Sequence, residues 1–387
     1  MTLAPAASME KIKLHIQPYR LDFAVPFRTA RGVQRQREGW LVRAEDNRGS
    51  HGWGEAAPLP GFGTEDMKAA EKALAGLKSY VERAVPPESP SGVDLLLSRA
   101  LHGLPPVPAA RHGVETALLD LLAVRTAVPL ARLFHDKPAE EVECNATLGL
   151  LSPEQAARAA AGAVAAGYKT IKLKAGTDDP RTDLTRLSMV RESVGRGVRL
   201  RVDANGSWSP EQALERLVSW QELGLEYVEQ PLARGREEEL LELARSSCVP
   251  LAADESASDP QSVARLLNGD KPSIAVLVLK PMALGGLWPT WELAEKARQR
   301  GVDVVVTTML EGAVGRMAAL HLAAAIQGGL PVERRRACGL ATGQMLAQDH
   351  PPGDRVLPLP DAPRMKLPTE GGLGFQPAFK RPANSSL

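Results

Sequence analysis

Cysteine is scarce in these 387 residues, and the three present lie far apart: Cys144, Cys248 and Cys338, with no CxxC among them. An odd count at wide spacing argues against a disulfide framework or a zinc ribbon; it leaves buried packing as the role of each and the cytoplasm as the default compartment. Long apolar runs are missing as well. Nothing approaches 18 consecutive apolar residues, so no ordinary transmembrane helix is expected. No block of one charge occurs and the formal net charge is +1, so neither nucleic acid nor a membrane surface is an expected partner. The opening MTLAPAASME has neither a basic start nor a long apolar centre. It reads as a loose tail rather than a signal peptide, with Met9 as an alternative start. What remains is an ordinary soluble composition, 44% hydrophobic and 24% charged, in a chain long enough for two domains. It leaves an oligomer open.

Two textures divide the chain. Over residues 1–135, KIKLHI (11–16) alternates like a strand, and 39–58 reads as strand, turn and strand around Asn47 and Gly49. Helical patterns follow at 65–81 and 110–127, which together predict a small α+β domain. From about 140 a regular alternation begins. Strand ECNATLGL precedes a helix capped by Ser152, and strand YKTIKLK a helix around 180–193. Strand VRLRVD leads to a helix opened by Ser209 and Pro210. LEYVEQ, VPLAAD, SIAVLVLK and VDVVVTT continue the series, with helices at 235–246, 259–268, 286–300 and 313–327. At least seven β-α units over residues 136–350 predict a closed barrel; an open doubly wound sheet is the alternative, although no GxGxxG opens the region. The Pro- and Gly-rich stretch 351–387 is no further unit; it either returns to the N-terminal domain or wraps the surface.

A charged residue recurs every 25 to 29 positions at the same end of successive strands: Lys174, Asp203, Glu229, Asp254 and Lys280. Two lysines in IKLKAG (171–176) would by themselves describe a half-exposed strand. Strands in a barrel are covered on both faces, however, so charges there must be paired or bound to an ion. Lys172 and Lys174 share one face, and Val276, Val278 and Lys280 another. Four positions apart around eight strands, Lys174 and Lys280 should face each other across the mouth with the three acids between them.

Three carboxylates on adjacent strands, with no His or Cys, make a hard oxygen site suited to Mg2+. Such an ion takes a substrate carboxylate, acidifies the neighbouring C–H and stabilises the enediolate that results. The expected partner is a small-molecule carboxylate. Lysine is a poor base at its usual pKa of about 10.4, but burial and neighbouring cations lower it. Lys174 is the candidate base and Lys172 the group that tunes it. A Schiff-base aldolase would use one lysine without the acids. A barrel that only binds an acidic metabolite would be expected to have lost one of these groups, and all are present.

These residues resemble the enolase superfamily in its muconate lactonizing subgroup, through KLK (172–174), DAN (203–205), EQP (229–231), ADES (253–256), LKP (279–281) and LGG (284–286). The resemblance covers nearly the whole chain. It implies a modified (β/α)7β TIM barrel under an α+β capping domain completed by the C-terminal segment, with Mg2+ on Asp203, Glu229 and Asp254. No His follows strand seven, as the mandelate racemase subgroup would require. GWGEAAPLPGFGTED (52–66), ARHGVETALLDL (110–121), NATLG (145–149) and CGLATGQMLAQD (338–349) look most like o-succinylbenzoate synthases of menaquinone biosynthesis. That likeness implies dehydration of 2-succinyl-6-hydroxy-2,4-cyclohexadiene-1-carboxylate to 2-succinylbenzoate. In it Lys174 moves the proton and Lys280 is the cation on the other side. TTMLEGAVGR (307–316) departs from this and looks closer to muconate cycloisomerases. Some relatives racemise N-succinylamino acids or epimerise dipeptides with the same two lysines, and both reactions stay open.

Phe62 is a candidate lid residue, and Thr307, Thr308 and Glu311 are candidates for the pocket wall. Asn205 is read as support for the metal or as a cap. Glu255 either pairs with a lysine or faces outward. Arg35 and Arg37 either reach a substrate carboxylate or line a solvated loop. Trp208 is wall or packing, and His112 and His321 are structural.

Overall fold

The computed structural model describes residues 11–29, 32–176, 179–269, 272–347 and 363–377. Met9 and nearly all of the Pro-rich stretch 351–363 lie outside them.

The N-terminal layer is an antiparallel meander of β1 (Ile12–Thr29), β2 (Gly32–Asp46) and β3 (His51–Ala56). The strand expected at 11–16 runs much further, because β1 and β2 continue as a long hairpin past an irregularity at Asp22. Three helices follow: α1 (Met67–Val81), α2 (Pro90–Ala100) and α3 (Pro108–Arg125). α1 buries Ala70, Leu74, Leu77 and Val81, a stripe of helical period. α2 is not evident from its Pro-rich entry, yet Ser89 caps it and Pro90 takes the first turn. α3 packs so close to β3 that a Cβ on Gly52 or Gly54 would strike its backbone. That explains both glycines of the GWG stretch.

Seven β-α units follow a short β4 (Glu141–Glu143). They are β5 (Ala146–Leu148) with α4 (Pro153–Ala165), β6 (Thr170–Lys174) with α5 (Pro180–Val194), and β7 (Arg199–Asp203) with α6 (Pro210–Ser219). Next come β8 (Leu225–Glu229) with α7 (Glu237–Ser246), β9 (Leu251–Ala253) with α8 (Pro260–Leu266), β10 (Val276–Leu279) with α9 (Leu287–Gln299), and β11 (Asp303–Val306) with α10 (Ala313–Ile326). β5 to β11 form one parallel sheet in sequence order. Residues 338–339 close it. Gly339 bridges Thr307 and Cys338 bridges Cys144, both in parallel. Gly339 donates to Val306 O (2.9 Å) and Cys338 to Glu143 O (2.7 Å). The architecture is therefore a (β/α)7β barrel rather than an open sheet, with an eighth strand that has no helix.

Side-chain alternation sorts the strands. Ile171, Leu173, Leu200, Val202 and Val228 pack outward on the helices, while Tyr227, Ala252, Val276, Val278 and Val305 fill the interior. β12 (Arg364–Lys366) pairs antiparallel with β4, and Leu373 donates its N–H to Asp120 of α3 (2.6 Å). Residues 363–377 thus run back along 128–143 to the N-terminal layer.

Candidate active site

Register brings the charged ladder together. Lys174 pairs with Asp203 and Asp203 with Glu229 across adjacent strands; Asp254 follows β9 and Lys280 follows β10. Lys172 Nζ bridges Asp203 Oδ2 (3.0 Å) and Glu229 Oε1 (2.8 Å). Lys280 forms an ion pair with Asp254. Lys174 Nζ instead donates to a neutral amide, Asn205 Oδ1 (2.8 Å). Asn205 Nδ2 donates in turn to Glu255 Oε1 (3.3 Å), so Asn205 links Lys174 to Glu255 and its backbone N–H bonds Asp203 (3.1 Å).

Burial makes these charges interdependent. Burial, then the Asp203 and Asp254 charges, push the Glu229 carboxyl up to about 8 against the pull of Lys172. Burial and Asp254 push Glu255 up to about 7. Burial opposes the charged form of Lys172 and Lys280, but the facing carboxylates outweigh it and raise both ammonium groups above the usual lysine range.

Several supports were not legible beforehand. Gln230 Oε1 accepts from the backbone N–H of Asp254 (2.9 Å) and of Ser256 (3.1 Å), which ties the ends of β8 and β9 together. Behind β6, Arg186 donates to the carbonyl of Lys174 (3.1 Å) and Asp183 accepts from Gly176 N (3.1 Å). Among the described residues only four non-glycines have positive φ, and three of them, Asn205, Gln230 and Leu310, stand just beyond barrel strands. Backbone strain is thus concentrated at the mouth.

The capping layer roofs the mouth. Phe62 stands with its ring centroid 5.8 Å from Lys280 Nζ. It packs against a cluster of Leu59, Met282, Ala283 and Met309. Thr308 shares a hydroxyl hydrogen bond with Thr342 (2.8 Å), and Thr307 donates to Gly339 O (3.1 Å). Glu311 is buried beneath the roof and accepts from Met309 N; burial, then Glu55, push its carboxyl up to about 7. Arg37 is not free for substrate, because its guanidinium is spent on the carbonyls of Ala57 and Pro58, whereas Arg35 is exposed. Trp208 is packing, edge-on to Trp220. His112 and His321 are buried, and burial lowers both to about 4.

Whether a divalent cation suits this site rests on its donors. Four carboxylates, Asp203, Glu229, Asp254 and Glu255, meet three lysines, and Glu255 Oε2 is buried without a hydrogen-bond partner. The acids are drawn to the lysines as they stand, and among the described residues no three acid, His or Cys side chains converge on one point. The surplus of one carboxyl group over the lysines, the unpartnered Glu255 Oε2 and the all-oxygen donor set fit Mg2+.

The chain matches the family described as Enolase C-terminal domain-like over residues 155–380, and that described as MenC, N-terminal domain over 10–104. It is 30% identical to an L-Ala-D/L-Glu epimerase of Bacillus subtilis (strain 168), over 82% of this chain and 85% of that one. It is 32% identical to an o-succinylbenzoate synthase of Thermobifida fusca (strain YX), over 84% and 81%. Among solved structures, the dipeptide epimerase of Enterococcus faecalis V583, complexed with Mg and L-Leu-L-Tyr, superposes with a TM-score of 0.84. Identity there is 26%, over 94% of this chain and 99% of that one.

Proposed function

Since the chain belongs to the enolase superfamily, we propose that it removes the proton alpha to a carboxylate of a small acid, and that its main reaction is of the o-succinylbenzoate synthase type. The observation that carries this reading is the different tethering of the lysines. Lys172 and Lys280 are tied to carboxylates, while Lys174 is held by the neutral amide of Asn205. A base must release its proton, and Lys174 is the amine least bound to an anion.

Asp203, Glu229 and Asp254 would hold Mg2+, which when bound would take the substrate carboxylate and acidify the adjacent C–H. Lys174 Nζ takes the alpha proton of 2-succinyl-6-hydroxy-2,4-cyclohexadiene-1-carboxylate. The electron pair of that C–H bond then forms the last ring double bond as the C–O bond breaks. The same ammonium returns its proton to the departing hydroxide, which leaves as water, and the ring is aromatic. Lys172 stays cationic between Asp203 and Glu229. Lys280 stands opposite as a second cation, beneath an apolar roof of Phe62, Leu59 and Met309 suited to a ring. The match of residues 10–104 to the MenC N-terminal domain supports this substrate.

Racemisation of N-succinylamino acids or epimerisation of dipeptides is the second reading, favoured by two amines on strands at opposite sides of the acids and by the epimerase relatives. The cyclohexadiene acid, N-succinylamino acids and dipeptides offered separately with Mg2+ decide the matter. Aromatic absorbance from the first, at a kcat/KM above the others, supports the main reading; a faster change of optical rotation from an N-succinylamino acid or a dipeptide overturns it.

A further inference from the structure

The capping layer reaches the barrel beside Lys280. From α3, Arg111 Nη1 donates to Gly285 O, and Glu115 accepts from the backbone N–H of Leu287 and Trp288 (3.4 Å to the latter). Asp94 of α2 holds the other end of Arg111. Glu115 is fully buried, and a Cβ on Gly286 would land on its carboxylate, so the glycine is part of the grip. The gripped turn is bonded straight back to the lysine. Gly286 N donates to Pro281 O (2.9 Å) and Leu284 N to Lys280 O (3.1 Å). Lys174 is held differently, by Arg186 and Asp183 of α5, inside the barrel itself.

We propose that Arg111 and Glu115 are positioning residues for Lys280, so that the capping layer sets one of the two facing amines while the barrel sets the other. The inference rests on the reading of Lys174 and Lys280 as groups on opposite sides of a carbon acid. It goes beyond that reading by making the two amines separable. A substitution at Glu115 should disturb proton transfer on the Lys280 side and spare the Lys174 side.

The test is exchange of the alpha proton of N-succinyl-L- and N-succinyl-D-amino acids in D2O with Mg2+, followed by NMR. The variants Lys174→Ala and Lys280→Ala identify which enantiomer each amine serves. Glu115→Ala is expected to slow exchange of the Lys280 enantiomer by about ten-fold or more and the other by no more than about two-fold, since small misplacements cost large factors. Glu115→Gln, which keeps an acceptor oxygen, should fall between. Equal loss from both enantiomers overturns the proposal. Amide hydrogen exchange gives an answer that does not depend on substrate. In Glu115→Gln, amides 284–288 should lose protection while 171–176 keep theirs, and unchanged protection at 284–288 sinks the proposal. If the wild-type enzyme exchanges neither enantiomer, the racemase reading fails, and amide protection alone decides the inference.

Discussion

Glu115 and Lys174 show how far a residue's neighbours decide its chemistry. Lys172 and Lys174 are two positions apart on one strand face, yet one is locked between two carboxylates and the other rests on an amide. That both amines point inward was legible in IKLKAG, because charges in register on covered strands need partners. Their unequal tethering was not, since it depends on the turn that sets Asn205 at positive φ. Glu115 looks in sequence like an ordinary glutamate of a helix. Burial pushes its carboxyl up to about 7 from an ordinary value of 4.5. The folded state thus binds this proton more tightly than the unfolded chain, so the group's contribution is full below about 4.5 and is lost as pH rises through about 7. Comparing the wild type with Glu115→Gln cancels the other titrating groups. The stability difference, wild type minus variant, should fall between about pH 4.5 and about pH 7 in denaturant titrations, and a rise would contradict the assignment.

At the scale of elements, the barrel helices divide by their caps. α4, α5, α6 and α8 begin with Ser152, Asp179, Ser209 and Asp259, each accepting a hydrogen bond from its own first turn. α9 and α10 begin with Gly286 and Gly312 and have no side-chain cap of their own. Their free N–H groups are met from the capping layer instead, by Glu115 at Leu287 and by Glu55 at Gly312 (2.6 Å) and Gly315 (2.8 Å). The sequence carries a trace of this: four of the seven barrel helices start with Ser or Asp, α7 starts with Arg236 and has no side-chain cap, and the two glycine starts call for acceptors from elsewhere. Helix positions were otherwise readable to within a few residues from period and caps. α2 was hidden by its Pro-rich entry, and the closing strand by its length of two bridged residues. Close packing of α3 on β3 carries the next prediction. Gly54→Ala would drive a methyl group into the α3 backbone at Gly113 and Ala117. It should cost about 1–3 kcal/mol or more, read as a fall in Tm, and an unchanged Tm would contradict the packing.

For the whole molecule, two layers share one site: the barrel supplies the charged ladder and the capping layer supplies the apolar roof and two of the helix caps. Metal binding should therefore be felt globally. Mg2+ at about 100 times its Kd should stabilise the wild type by about 2.7 kcal/mol, a shift of a few degrees in Tm. Asp254→Asn should lose most of that shift, and an equal shift in both proteins would remove Asp254 from the ligand set. The fold and the ladder were readable because both follow from periodicity and the cost of buried charge. The identity of the acid was not, because the roof and the 307–316 loop are assembled from distant segments. The central claim is that this mouth is a carbon-acid site worked by two lysines. Its most direct test is deuterium wash-in at the carbon alpha to the carboxylate, followed by NMR, for the wild type and a Lys174→Ala/Lys280→Ala double variant with Mg2+ present. Exchange by the wild type and none by the double variant is expected, with Mg2+ still raising the Tm of both. Equal exchange by both proteins, or a wild type that leaves the alpha proton in place on every acid of the series, would contradict it.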